Sequence, residues 1–266
     1  MLKFDVSFGG FPSQYLFTEV DLLHRFERAA KAGFKGVEFS FPYKWPKEQL
    51  AEEAKKYNLE VVGFVAPGGT DFKAGGFGLT ASPDRIGEFQ ESIGLAIEYA
   101  KTLNCSNVVC HPGVDRPDIP MAKTRKTLVE NYRWAATALE KEDIRLLVEP
   151  INTQDCPGFL ISRTQDALQI MDEVNHPNIW LLYDTWHMQI MEGNLTKTIT
   201  DNIARIAHIQ VADNPGRHEP GTGEINFTNL LRFIDEAGYK GWIGCEYHPV
   251  GKTEDSLRWM KPFLQS

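Results

Sequence analysis

The chain is 266 residues long, with 42% hydrophobic and 24% charged residues, the balance of an ordinary folded protein able to bury a sizeable core. A formal net charge of -8 weighs against nucleic-acid or anionic-membrane partners, which call for a basic face. No charged-then-apolar leader precedes the first strand pattern and no apolar run reaches membrane-spanning length, so a cytoplasmic protein is expected.

Short apolar runs alternate with longer amphipathic ones along the whole chain. Strands are predicted over 3–8, 36–40, 60–65, 107–111, 145–149, 179–184, 207–212 and 242–247. Helices are predicted over 18–32, 46–57, 84–103, 121–141, 163–174, 196–205, 227–237 and 253–264. Thr18 suits the N-cap of the first helix, and Gly33 stands where its C-cap belongs. Eight strands each followed by a helix is the count of a single (β/α)₈ TIM barrel occupying residues 1–266, although a doubly wound sheet holds the same elements. An internal echo supports the repeat: Ala32-Gly33-Phe34-Lys35-Gly36 returns as Ala237-Gly238-Tyr239-Lys240-Gly241, each time leading into a strand with a glutamate. Of the four cysteines, Cys110 and Cys245 sit in strand-like runs, and with Cys105 and Cys156 they form no Cys-x-x-Cys pair; reduced thiols are expected.

Two loops exceed the usual few residues, Ala66–Ser82 and Asp213–Glu224. Both follow strands, which on a barrel places them on the catalytic face. The glycine-rich stretch 66–78 lacks phosphate-loop spacing and reads as a mobile lid.

The chemistry lies at the ends of strands five to eight. Leu146-Leu147-Val148 leads to Glu149, Leu181-Leu182-Tyr183 to Asp184, His208-Ile209 to Gln210, and Ile243-Gly244-Cys245 to Glu246. Carboxylates at the ends of apolar runs are costly to desolvate and repel one another; a divalent cation offsets both costs. If all four groups point inward, alternation puts Leu147, Leu182, His208 and Gly244 in the layer beneath, with His208 supporting Gln210 or a carboxylate. An all-oxygen donor set suits Mg²⁺ or Mn²⁺ better than Zn²⁺. A lone strand-end acid more often caps a helix or pairs with a surface lysine, so the argument rests on four together. His111 ends the fourth strand as a possible pocket residue. Glu38 is expected to make structural hydrogen bonds, His24 to lie on the surface, and Trp186 to be core or a pocket wall.

At these residues the sequence resembles the hydroxypyruvate isomerase family (hydroxypyruvate and 2-oxo-tetronate isomerases) of the xylose-isomerase-like barrels. The resemblance is carried by Val148-Glu149-Pro150, Tyr183-Asp184-Thr185-Trp186-His187, His208-Ile209-Gln210-Val211-Ala212-Asp213 and Gly241-Trp242-Ile243-Gly244-Cys245-Glu246-Tyr247. Its most specific part is the loop Arg217-His218-Glu219-Pro220-Gly221-Thr222-Gly223-Glu224. By that resemblance Glu149, Asp184, Gln210 and Glu246 are the metal ligands, Glu149 and Glu246 the proton-transferring pair, and His187 and Arg217 substrate contacts. The implied activity is isomerisation of a small 2-oxo or hydroxy acid through an enediolate, with a homo-oligomer as the expected assembly. A ketose 3-epimerase is the alternative. In that branch a histidine usually stands at the position of Gln210. A metal-dependent abasic-site endonuclease and a non-catalytic sugar-binding barrel are more remote readings.

Overall fold

The computed structural model describes residues 2–9, 14–69 and 78–264. Its eight strands are β1 (Lys3–Ser7), β2 (Gly36–Phe39), β3 (Glu60–Val65), β4 (Asn107–Val109), β5 (Arg145–Val148), β6 (Ile179–Asp184), β7 (Ile206–Val211) and β8 (Trp242–Cys245). They run parallel in sequence order, and β8 pairs with β1 to close the barrel. The alternative of a doubly wound sheet is thereby excluded. Strands and predictions agree to within two residues at each end. Glu149 and Glu246 stand just past β5 and β8, at the start of the catalytic-face loops.

The helices are α1 (Leu22–Lys31), α2 (Lys47–Lys56), α3 (Ile86–Leu103), α4 (Met121–Glu140), α5 (Thr164–Val174), α6 (Thr185–Met191), α7 (Leu195–Asn202), α8 (Phe227–Glu236), α9 (Thr253–Ser256) and α10 (Lys261–Leu264). Each long helix turns an apolar stripe to the sheet: on α8, Phe227, Leu230, Leu231 and Ile234 are buried at the i, i+3, i+4, i+7 spacing. The echoed segments are the α1–β2 and α8–β8 junctions. Gly33 and Gly238 both take positive φ just past their helices, where a side chain would be strained.

Three expectations need correction. Helix α1 begins at Leu22, not Thr18, and Asp21 occupies the N-cap position. Phe17 is fully buried with φ of 57°, which is incompatible with helix at that point. The C-terminal stretch is broken into α9, a 3₁₀ turn (Arg258–Met260) and α10, because Pro262 has no N–H to continue a helix through it. Helix α6 has no counterpart in the predicted elements.

Two apolar cores result. The larger fills the space between sheet and helices. The smaller, Val65, Val109, Leu147, Leu182 and Ala207, clusters apart from it with Phe41 and Trp180 packed alongside, and includes the expected inner-layer residues Leu147 and Leu182. Most of the lid expected over 66–78 falls on 70–77, outside the described residues.

Candidate active site

The C-terminal mouth of the barrel opens into a cavity of about 270 Å³. Strand ends place Glu149, Gln210 and Glu246 on its wall, α6 adds His187, and loops add Tyr15, His111 and Arg217. Asp184, at the end of β6, is fully buried behind them. The sequence-predicted residues therefore converge.

Asp184 serves two purposes. Its Oδ1 accepts the Trp186 N–H at 2.8 Å, capping α6, while Oδ2 lies 3.4 Å from His187 Nε2 and accepts from Arg217 Nη2 at 3.0 Å. That capping bond explains α6: the chain passes from strand to helix with no connecting loop. The same Arg217 nitrogen also bonds Glu246 Oε2, and the guanidinium stacks 5.0 Å above the Tyr15 ring. Glu149 holds His111 Nε2 at 3.1 Å through Oε2, with His187 Nε2 3.8 Å from Oε1.

Arg217 owes its place to Asp213. This fully buried carboxylate accepts the backbone N–H groups of Asn214, Gly221, Gly223 and Ile225, and so ties the long loop into a knot. Four charge-assisted bonds, each worth about 1.5–3 kcal/mol, are enough to offset desolvation of several kcal/mol. A Cβ on Gly223 would come within 2.6 Å of Asp213 Oδ1, so the knot requires glycine there. The side chain of Arg217 itself bonds Asp184 and Glu246 and not Asp213, and Glu219 takes the Val250 N–H.

Beneath the mouth lies a second polar layer. His208 Nε2 meets Glu38 Oε2 at 2.7 Å, and Gln210 Nε2 donates to Glu38 Oε1 at 2.9 Å and to Glu246 Oε1 at 3.2 Å. His208 thus supports a carboxylate, as expected, and Glu38 makes the expected hydrogen bonds. Room for this layer comes from Gly244, where a Cβ would sit 2.7 Å from Glu38 Oε1 and 2.9 Å from His208 Nε2. Asp5 from β1 is fully buried nearby, and Ser7 Oγ donates to Glu246 Oε1 at 3.2 Å. Neither was singled out from the sequence, and nor were Asn152, whose amide bonds His187 Nδ1 at 2.7 Å, and Tyr15. His24 is exposed on α1, as expected.

Electrostatics follow from burial. Desolvation, opposed by Arg217 and aided by Glu149, pushes Asp184 up to about 7. Burial also raises Glu246 well above the usual carboxylate range, against the pull of Arg217. Burial and the Arg217 charge keep His187 neutral, well below its ordinary value. At His208 burial opposes the charged form, but Glu38 outweighs it and raises the imidazole to about 9.

The donor chemistry fits a divalent cation. Glu149, Asp184 and His187 offer ligand atoms within 4.8 Å of one another, and Gln210 Oε1 is buried without a hydrogen-bond partner. Acids whose ionised forms are penalised by burial gain most from a nearby positive charge.

A closed (β/α)₈ barrel with acids gathered at its C-terminal mouth defines a TIM-barrel protein of the catalytic kind. The chain belongs to the xylose isomerase-like TIM-barrel family, whose model matches residues 26–263. It is 46% identical over 248 residues to the hydroxypyruvate isomerase of Escherichia coli (strain K12), spanning 93% of this chain and 96% of that one. It is 42% identical to the 2-oxo-tetronate isomerase of Pectobacterium atrosepticum, over 94% and 95% of the two chains. Among solved structures, one described as an AP endonuclease, family 2, from Brucella melitensis superposes with a TM-score of 0.93 at 38% identity, covering 99% of each chain.

Proposed function

We propose that this protein is an isomerase of small 2-oxo acids, interconverting an α-hydroxy ketone and an α-hydroxy aldehyde, with hydroxypyruvate or a 2-oxo-tetronate as substrate. The observation that carries the reading is the convergence of Glu149, Gln210, Glu246 and Arg217 on one small buried cavity, in a chain 46% identical to a hydroxypyruvate isomerase.

The reaction moves a proton between adjacent carbons through an enediolate, which needs a base, an acid and stabilisation of two oxygens. Glu149 and Glu246, one on each side of Asp184, take up and return the proton. His187 donates from Nε2 to a substrate oxygen. Arg217, already charged and facing the cavity, pairs with the substrate carboxylate. Glu149, Asp184, Gln210 and Glu246 would hold a divalent cation, Mg²⁺ or Mn²⁺ by their oxygen chemistry. Such an ion polarises a carbonyl and steadies developing negative charge when bound.

A neutral ketose offers Arg217 no carboxylate, and Gln210 stands where 3-epimerases usually carry histidine. An abasic duplex fits a 270 Å³ cavity and a net charge of -8 less well than a small acid does. The deciding experiment follows purified protein by NMR with hydroxypyruvate, a four-carbon 2-oxo acid, a neutral ketose and an abasic duplex, before and after chelation. Isomerisation of an acid, lost on chelation and restored by Mg²⁺ or Mn²⁺, is the expected result. Turnover of the ketose or the duplex alone would overturn the reading, and full activity after chelation would remove the cation from it.

A further inference from the structure

The loop after β5 folds back on its own first residues. Asn152 Oδ1 accepts the backbone N–H groups of Gln154 at 3.0 Å and Asp155 at 2.8 Å. Asn152 Nδ2 then has two hydrogens and two neighbours: Asp155 Oδ2 at 2.8 Å and His187 Nδ1 at 2.7 Å. Asp155 Oδ2 also takes the Trp186 Nε1–H at 2.7 Å, so the loop grips α6 at two adjacent residues. Asn152 is fully buried, and His187 is only 4% exposed.

This arrangement determines which way round the amide lies. Turning it over would set its NH₂ against two backbone N–H donors and its oxygen against a carboxylate, three mismatches for at most one new contact. With the amide so held, Nδ2 can only donate. His187 Nδ1 faces that donor, and the Asn152 backbone N–H as well at 3.4 Å, so it must be the bare nitrogen. The ring proton of the neutral imidazole is then on Nε2, the nitrogen turned toward Asp184 and Glu149.

We infer that Asn152 is a positioning residue that locks His187 in its Nε2–H tautomer, making His187 a hydrogen-bond donor to the substrate and removing it from the set of possible metal ligands. A nitrogen that carries a proton has no lone pair for a cation, so of the three groups clustered at Glu149, Asp184 and His187 only the two acids can ligate. The donor role rests on the isomerase reading above; the tautomer does not.

The test has two arms. In the first, long-range ¹H–¹⁵N correlation spectra of histidine-labelled protein are recorded, with His187→Gln identifying the signal. An Nε2–H pattern is expected; an Nδ1–H pattern overturns the lock whether or not the protein proves to be an isomerase. In the second, Asn152→Asp is combined with Asp155→Asn. The pair keeps the turn and the contact between the two side chains and presents His187 Nδ1 with an acceptor, at the expense of the Trp186 Nε1–H bond to residue 155. The spectrum should then show a proton on Nδ1. Nε2, the nitrogen turned toward Asp184 and Glu149, is then the bare one. Turnover should therefore be about a hundredfold below that of the unmodified protein, the scale of losing one oriented donor, while Asp155→Asn alone, which keeps Asn152 and the Nε2–H pattern, loses less. Unchanged turnover with the proton moved to Nδ1, or an equal loss in Asp155→Asn alone, overturns the positioning role.

Discussion

The two halves of the barrel mouth are built on opposite principles. From β5 to β8 the wall is Glu149, His187, Gln210, Arg217 and Glu246, with Asp184 behind, each group held by another. From β2 to β4 the upper wall is mostly apolar, with Phe41, Phe64, Val65 and Val109; Glu38 and Asn107 lie among them, and His111 reaches across to Glu149. The charged half carries groups whose ionisation is shifted by burial and by one another, and the other half is lined mainly by apolar side chains. On the proposed function, reactivity comes from the first half and a dry wall from the second, and substitutions should separate them.

The sharpest separation comes from the proposed proton-handling pair. Glu149→Gln and Glu246→Gln should each reduce kcat by about a hundredfold or more; Glu246→Gln should also lower the melting temperature, because both oxygens of Glu246 accept hydrogen bonds and an NH₂ in place of either would face a donor. Near-native kcat in either variant breaks the assignment of chemistry to this half. Next is Arg217→Met, for which kcat/KM on an acid substrate should fall roughly ten- to a hundredfold, the value of a charge-assisted bond, while a neutral ketose loses less. Equal losses on both would mean that Arg217 only balances Asp184 and Glu246. The smallest effect on rate belongs to the dry half. Val109→Ala should cost about 2 kcal/mol of stability in denaturant unfolding, from lost burial and the cavity left behind, with kcat within about threefold of native. A larger fall in kcat without loss of stability would show that the apolar wall also contacts the reacting groups.

How much of this was legible in the sequence differs between strands. The acids on β5, β6 and β8 stood out because each interrupts an apolar run, a pattern expensive enough to demand a reason. Asp5 and Ser7 did not, because Lys3-Phe4-Asp5-Val6-Ser7-Phe8 alternates like a strand with one wet face. Closure of the sheet turns that polar face into the barrel, and closure is a property of all eight strands together. Asn152 was hidden for a different reason: an asparagine after Glu149-Pro150-Ile151 looks like ordinary turn chemistry, and its grip on His187 depends on a helix 33 residues later in the chain. Helix α6 was missed because strand and helix share Asp184, which leaves no turn residues to mark the boundary.

The Asp213 knot bears on how such a protein diversifies. One carboxylate gathers the amides of the 213–224 loop, so the chain path that carries Arg217 to Asp184 and Glu246 is set within the loop itself. Drift or grafting between residues 214 and 224 that keeps Asp213 and Gly223 preserves the knot while re-aiming the guanidinium, and because Arg217 also bonds Glu246 it retunes that acid at the same stroke. On the proposed function, a change of acid substrate is then a matter of loop editing, a short evolutionary step between neighbouring specificities.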